Sequence, residues 1–157
     1  MAAVVVKAPQ KYDANSQYTI FLAGAIDMGK AADWQKKVAD ALAGLDILIL
    51  NPRRDGWDSS WEQCRTCEPF REQVIWEYEA MQAADMIVFC FTEDSKAPVT
   101  MYEFGRFADR KDSIVCVEEG FYRQGNLDIY AELDDVLVYH NLDEMIGDLQ
   151  QALREKL

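Results

Sequence analysis

Five short apolar runs, each ended by turn-forming or polar residues and separated by segments of helical spacing, constrain this chain more than any other feature. Residues 18–23 form the first run and Gly24 closes it. Residues 46–50 form the second, stopped by Asn51 and Pro52. Residues 86–91 form the third and most apolar, and its lack of alternation predicts a strand buried on both faces. Residues 113–117 and 136–139 supply the fourth and fifth. Between them, Trp34, Val38, Ala41 and Leu42 recur at helical spacing. Further helices are predicted over 70–83, 100–109 and, more briefly, 126–133. The last helix is the clearest. Asn141 caps it, Glu144 completes a capping-box-like pair, and Leu142, Met145, Ile146, Leu149 and Leu153 make one apolar stripe.

This alternation predicts one α/β domain: a single doubly wound, five-stranded parallel sheet, flavodoxin-like or Rossmann-like, with helices on both faces. The domain is expected over 17–157, with residues 1–16 as an N-terminal tail. Residues 51–69 are read as a long polar loop, a length that is often functional in a small domain. Ligands of such sheets bind beyond the carboxyl ends of the strands, so the residues just after each strand are the ones to inspect.

Composition removes several classes of function. Among 157 residues, 28 are acidic and 16 are Lys or Arg, for a formal net charge of -12. Such a surface repels a nucleic-acid polymer and an anionic membrane, but tolerates one small ligand in a locally neutral pocket. No apolar run is long enough to span a bilayer. The Ala2–Val6 segment is too short for a signal sequence and lacks a charged start. Cys90 and Cys116 lie inside apolar runs and read as inert core thiols, a usage that suits the reducing cytoplasm. Cys64 and Cys67 form a lone CxxC with no second pair, so no metal is expected and an incidental thiol pair is the default. With His140 as the single histidine, a Ser-His-Asp triad is not expected. No GxGxxG or Walker sequence occurs, and no cofactor is expected.

Two glutamates stand out by their neighbours. Val74, Tyr78 and Met81 are taken to define the inward face of the 70–83 helix, and Glu77 falls on it. Thr100, Phe104 and Phe107 define a face of the next helix, and Glu103 shares it. A carboxylate on an apolar stripe is costly to bury unpaired, and burial raises its pKa toward the range useful for acid–base work. Both are expected near the carboxyl edge of the sheet. One could attack an anomeric carbon while the other protonates a departing base, the logic of a retaining glycosidase. The bland alternative is a pair of solvated or capping glutamates, with Glu103 favoured by its helix dipole.

At these residues the sequence resembles the nucleoside 2-deoxyribosyltransferase family, in its broader deoxyribosyltransferase-like branch. Four segments carry the resemblance. They are residues 20–24 (IFLAG), Trp76-Glu77 through residues 84–89 (ADMIVF), residues 101–105 (MYEFG), and Gly125-Asn126-Leu127. The resemblance implies that Glu103 attacks C1′ and forms a glycosyl-enzyme ester, and that Glu77 supplies the proton to the leaving base. It also implies that Asn126 holds the sugar in a neighbouring subunit's site, hence a homo-oligomer. Gly24 is expected to let the backbone approach the ligand, and Gly105 to relieve crowding beside the nucleophile. The sequence departs from the family at Phe21, where transferases carry a tyrosine, so tuning of Glu103 falls to Tyr102 or Tyr78. It departs again at Lys96-Ala97-Pro98, where many members place an aspartate, and at Asp128 after Asn126-Leu127.

Other candidates follow the same strand ends. Asn51 precedes Arg53 and Arg54, either of which could pair a 5′-phosphate or belong to a solvated loop. Asp27 could meet a sugar hydroxyl or serve as a turn residue. Trp57 could stack on a base, whereas Trp61 is as readily a residue that packs the loop down. The expected ligand is a small-molecule nucleoside or nucleotide. Three functions remain open: a deoxyribosyltransferase, a hydrolytic N-glycosidase acting on nucleosides or their 5′-monophosphates, and a non-catalytic nucleotide-binding domain.

Overall fold

Strands and helices alternate through the computed structural model, which describes residues 2–26 and 32–157. The elements are β1 (Val4–Lys7), β2 (Tyr18–Gly24), α1 (Trp34–Ala41), β3 (Ile47–Asn51), α2 (Glu68–Ala83), β4 (Met86–Phe91), α3 (Pro98–Phe107), β5 (Asp112–Val117), α4 (Gln124–Leu133), β6 (Leu137–Tyr139) and α5 (Leu142–Lys156). All strand pairs are parallel, and the sheet runs β1-β3-β2-β4-β5-β6. No described helix is long and apolar enough to cross a membrane.

The sheet has six strands rather than five, because Val4–Lys7 is an edge strand and not a tail. It pairs with β3 in the register Val4↔Leu48 to Lys7↔Asn51. An edge strand has one hydrogen-bonded neighbour, and Val4 and Val5 stay exposed, so its sequence shows no burial pattern. The residues after it are also anchored. Ala8 is buried, Tyr12 packs edge-on against Trp76, and Trp76 Nε1 donates to the Gln10 carbonyl at 2.9 Å.

Alternation along the central strands feeds two cores. Phe21, Ile87, Phe89 and Phe91 meet α2, α3 and α4 on one face through Trp76, Met81, Phe104, Phe107 and Leu127. Ile20, Leu22, Val88 and Cys90 meet α1 and α5 on the other through Trp34, Val38, Leu42, Met145 and Leu149. Cys90 and Cys116 are fully buried across the β4–β5 pair. The α5 cap forms as expected: Glu144 N–H donates to Asn141 Oδ1 at 3.0 Å.

Helix α3 begins at Pro98, two residues before the expected start. Proline is well suited to a first helical position, where its missing N–H costs nothing. Helix α2 differs in its face. Gln73, Trp76, Ala80 and Met81 are buried, whereas Val74 and Tyr78 are about half exposed at 44% and 47%. The expected stripe of Val74, Tyr78 and Met81 therefore does not define the core face. It borders a cavity instead.

The strand order changes direction between β2 and β4. The chain leaves β2 to form β3 on one side, then crosses to β4 on the other. That switch point opens a crevice at the carboxyl edge.

Candidate active site

A cavity of about 380 Å³ occupies this crevice. Gly24, Ala25 and Ile26 after β2, and Pro52, Arg54 and Trp57 after β3, form part of its wall. Ala97 and Pro98 lead into α3, which adds Thr100, Tyr102, Glu103, Arg106 and Phe107. Opposite them α2 presents Gln73, Val74, Glu77, Tyr78 and Met81. Those α2 positions recur at helical spacing, so one flank of α2 is turned to the cavity while Trp76 and Ala80 hold the helix to the sheet.

Among the described residues, Glu77 and Glu103 are the two carboxylates on this wall. Neither makes an ion pair among the described residues. Burial pushes the Glu77 carboxyl up to about 8, against a hydrogen bond from Gln73 that favours the ionised form. Burial, and then the charge of Glu77, pushes Glu103 up to about 9. The two titrate as a pair, because ionising one opposes ionising the other. Gln73 itself is buried, and its Nε2 donates to the Pro52 carbonyl at 2.8 Å, tying α2 to the chain after β3. Tyr102 lines the cavity beside Glu103. Burial, followed by Glu103 and Glu77, keeps its phenol above the ordinary value.

Of the expected site residues, Glu77, Glu103, Gly24, Trp57 and Tyr102 meet at this cavity. Asp27 lies outside the described residues. Arg53 is not on the wall. Its Nε stands 3.4 Å from Asp33 and its Nη2 donates to the Ala32 carbonyl at 3.1 Å. The neighbouring Arg54 takes the wall position, braced by Glu72 at 2.9 Å and stacked on Trp61. Asn51 is buried and not on the wall; its Oδ1 accepts the Arg53 N–H at 2.9 Å, so it shapes the turn after β3. Asn126 is exposed on α4 and does not line the cavity.

The two glycines differ in their surroundings. A Cβ on Gly24 would lie 2.4 Å from the Trp34 ring and 2.5 Å from the Cys90 carbonyl oxygen, so this glycine is required by sheet and helix packing as well as bordering the cavity. A Cβ on Gly105 would meet nothing within 4 Å, so there is no crowding for it to relieve. Phe21 is buried against Trp76, with ring centroids 6.4 Å apart, and brings no hydroxyl to this part of the fold.

Gln73 and Arg106 complete the wall and were not singled out from the sequence. The signal was present: Gln73 stands four residues before Glu77 and Arg106 three after Glu103, spacings that share a helix flank. Arg106 is exposed at the cavity rim and stacks on Tyr78 at 5.6 Å.

The family model for "nucleoside 2-deoxyribosyltransferase like" proteins matches residues 17–121, from just before β2 to just past β5. No curated protein matches the chain. The matched span contains both cavity glutamates, the strands on either side of the switch point and the helices that carry the pair, and on this match the chain belongs to the nucleoside 2-deoxyribosyltransferase-like family.

Proposed function

We propose that this protein cleaves the N-glycosidic bond of a nucleoside and transfers the sugar to a second base. The observation that carries the reading is the pair of carboxyls, Glu77 and Glu103, held without ion-pair partners among the described residues on one cavity wall at the sheet's switch point.

Double displacement needs one carboxylate and one carboxylic acid. A Glu103 oxygen attacks C1′ as the C1′–N bond breaks, and the departing base takes the proton of Glu77. A glycosyl-Glu103 ester and a Glu77 carboxylate remain. The incoming base attacks C1′, gives its proton to Glu77, and releases Glu103 as carboxylate. Coupling leaves the pair with one carboxylate and one carboxylic acid between its two ionisations. The anion at Glu103 is the one the reaction favours, because positive charge developing at C1′ in the transition state stabilises the carboxylate beside it. Tyr102 takes the tuning place that Phe21 leaves vacant. Asn126 sits on an exposed flank of α4 with Ile129, Tyr130 and Leu133, where a second copy of the chain can meet it, so we assign a homo-oligomer to the active form.

A second reading is hydrolysis of a nucleoside 5′-monophosphate. Arg54 and Arg106 favour it as the two cationic side chains on the wall, among the described residues, of a strongly acidic protein. The experiment is base release and base exchange from (deoxy)nucleosides and their monophosphates, with wild type and Glu103→Ala. Exchange that vanishes in the variant supports transfer. Release without exchange moves the assignment to the hydrolase. No turnover by wild type sinks both and leaves a nucleotide-binding domain.

A further inference from the structure

Cys64 and Cys67 take no part in the chemistry above, yet they sit where a cavity loop meets a cavity helix. Residues 52–67 join β3 to α2 and contribute Pro52, Arg54, Trp57 and Gln63 to the wall. Cys67 is the N-cap of α2, and its N–H donates to the Cys64 carbonyl at 3.1 Å. A four-residue turn closed this way brings its first and last Cα atoms within about 7 Å. A disulfide spans Cα atoms roughly 4.4–6.8 Å apart. Both thiols are free and half-buried, whereas Cys90 and Cys116 are inaccessible. Cys64 Sγ now contacts Thr66 Oγ1 at 3.4 Å and Glu62 Oε2 at 3.7 Å, contacts that a χ1 rotation breaks.

We propose that Cys64 and Cys67 form a thiol–disulfide exchange site that reacts with small-molecule disulfides and, once closed, stiffens the junction between the cavity loop and α2. One thiolate attacks a sulfur of the reagent R–S–S–R and expels one thiolate, leaving a mixed disulfide. The second protein thiol attacks the protein sulfur of that bond and expels the other. Two protein thiols become one disulfide, and their two electrons and two protons leave as two RSH. Closure is felt at the cavity because the junction is cross-braced. Arg54 Nη1 donates to the Pro69 carbonyl at 3.3 Å, and its Nη2 pairs with Glu72 in the first turns of α2. Its guanidinium lies over Trp61, which packs edge-on against Trp57 of the wall with centroids 4.9 Å apart.

The test requires no assumption about the reaction catalysed. The full chain is incubated with oxidised glutathione, free thiols are blocked, and the protein is digested with trypsin without reduction. Trypsin cuts after Arg65, between the cysteines, so the disulfide links peptides 55–65 and 66–71 at a mass two hydrogens below their sum. The expected result is that linked species as the main product, with a change in tryptophan emission reversed by dithiothreitol. Both should be absent from Cys64→Ser. Separate glutathione adducts on the two peptides, or unreacted thiols, overturn the exchange site. Linked peptides with unaltered emission overturn its coupling to the cavity.

Discussion

Glu77 on α2 and Glu103 on α3 border one cavity, and the charge of Glu77 adds to burial in keeping Glu103 protonated. Each lies well above the ordinary glutamate value of about 4.3. The folded protein therefore holds protons that the unfolded chain has released. The pair's contribution to stability is complete below about pH 4.3 and is lost as pH rises through the folded values of about 8 and 9. Glu103→Gln should remove part of that loss. Its melting temperature should match wild type near pH 5 and exceed it near pH 9. Equal pH dependence in the two proteins would contradict the raised titration of this half-buried pair.

Gln73 acts on the same pair from one turn away. Its hydrogen bond favours ionised Glu77, and its amide also holds the Pro52 carbonyl. Gln73→Met should shift the falling, alkaline limb of the kcat/KM profile to higher pH, because Glu77 must stay protonated to act as the acid. It should also destabilise the fold by about 1–3 kcal/mol through the buried carbonyl left without a donor. A profile that stays in place would separate Gln73 from the titration.

Gly24→Ala should be poorly tolerated, because the added methyl would overlap the Trp34 ring and the Cys90 carbonyl, neither of which is the end of a flexible chain. Overpacking of this kind costs about 1–3 kcal/mol or more. Chemical denaturation measures it, and Gly105→Ala serves as the control, since a methyl there meets nothing and improves helix propensity.

Arg106→Ala separates the two substrate readings. If the ligand carries a 5′-phosphate, losing this rim guanidinium should raise KM for monophosphates by roughly 10- to 100-fold and leave nucleosides nearly unchanged. Equal effects on both would remove Arg106 from phosphate recognition.

The capped, striped α5 and the four runs that became β2 to β5 were legible in the sequence because burial on one or both faces writes directly into residue order. So were the two glutamates, as carboxylates displaced onto apolar stripes. β1 was not legible, since an edge strand with one partner and an exposed face need not show any pattern. Helix α2 misled for a related reason: Val74, Tyr78 and Met81 make a true stripe, but a stripe says only that a face avoids water, not whether it meets a core or a cavity. Which of two adjacent arginines reaches the wall was decided by the turn after β3, where Asn51 holds the Arg53 backbone and Asp33 lies beside the Arg53 side chain, while Arg54 faces the wall. The sequence alone determined the buried elements, the class of sheet and the unusual carboxylates, because those depend on local spacing. Only the tertiary structure decided which flanks face each other across the crevice, because that depends on strand order, which no local spacing encodes.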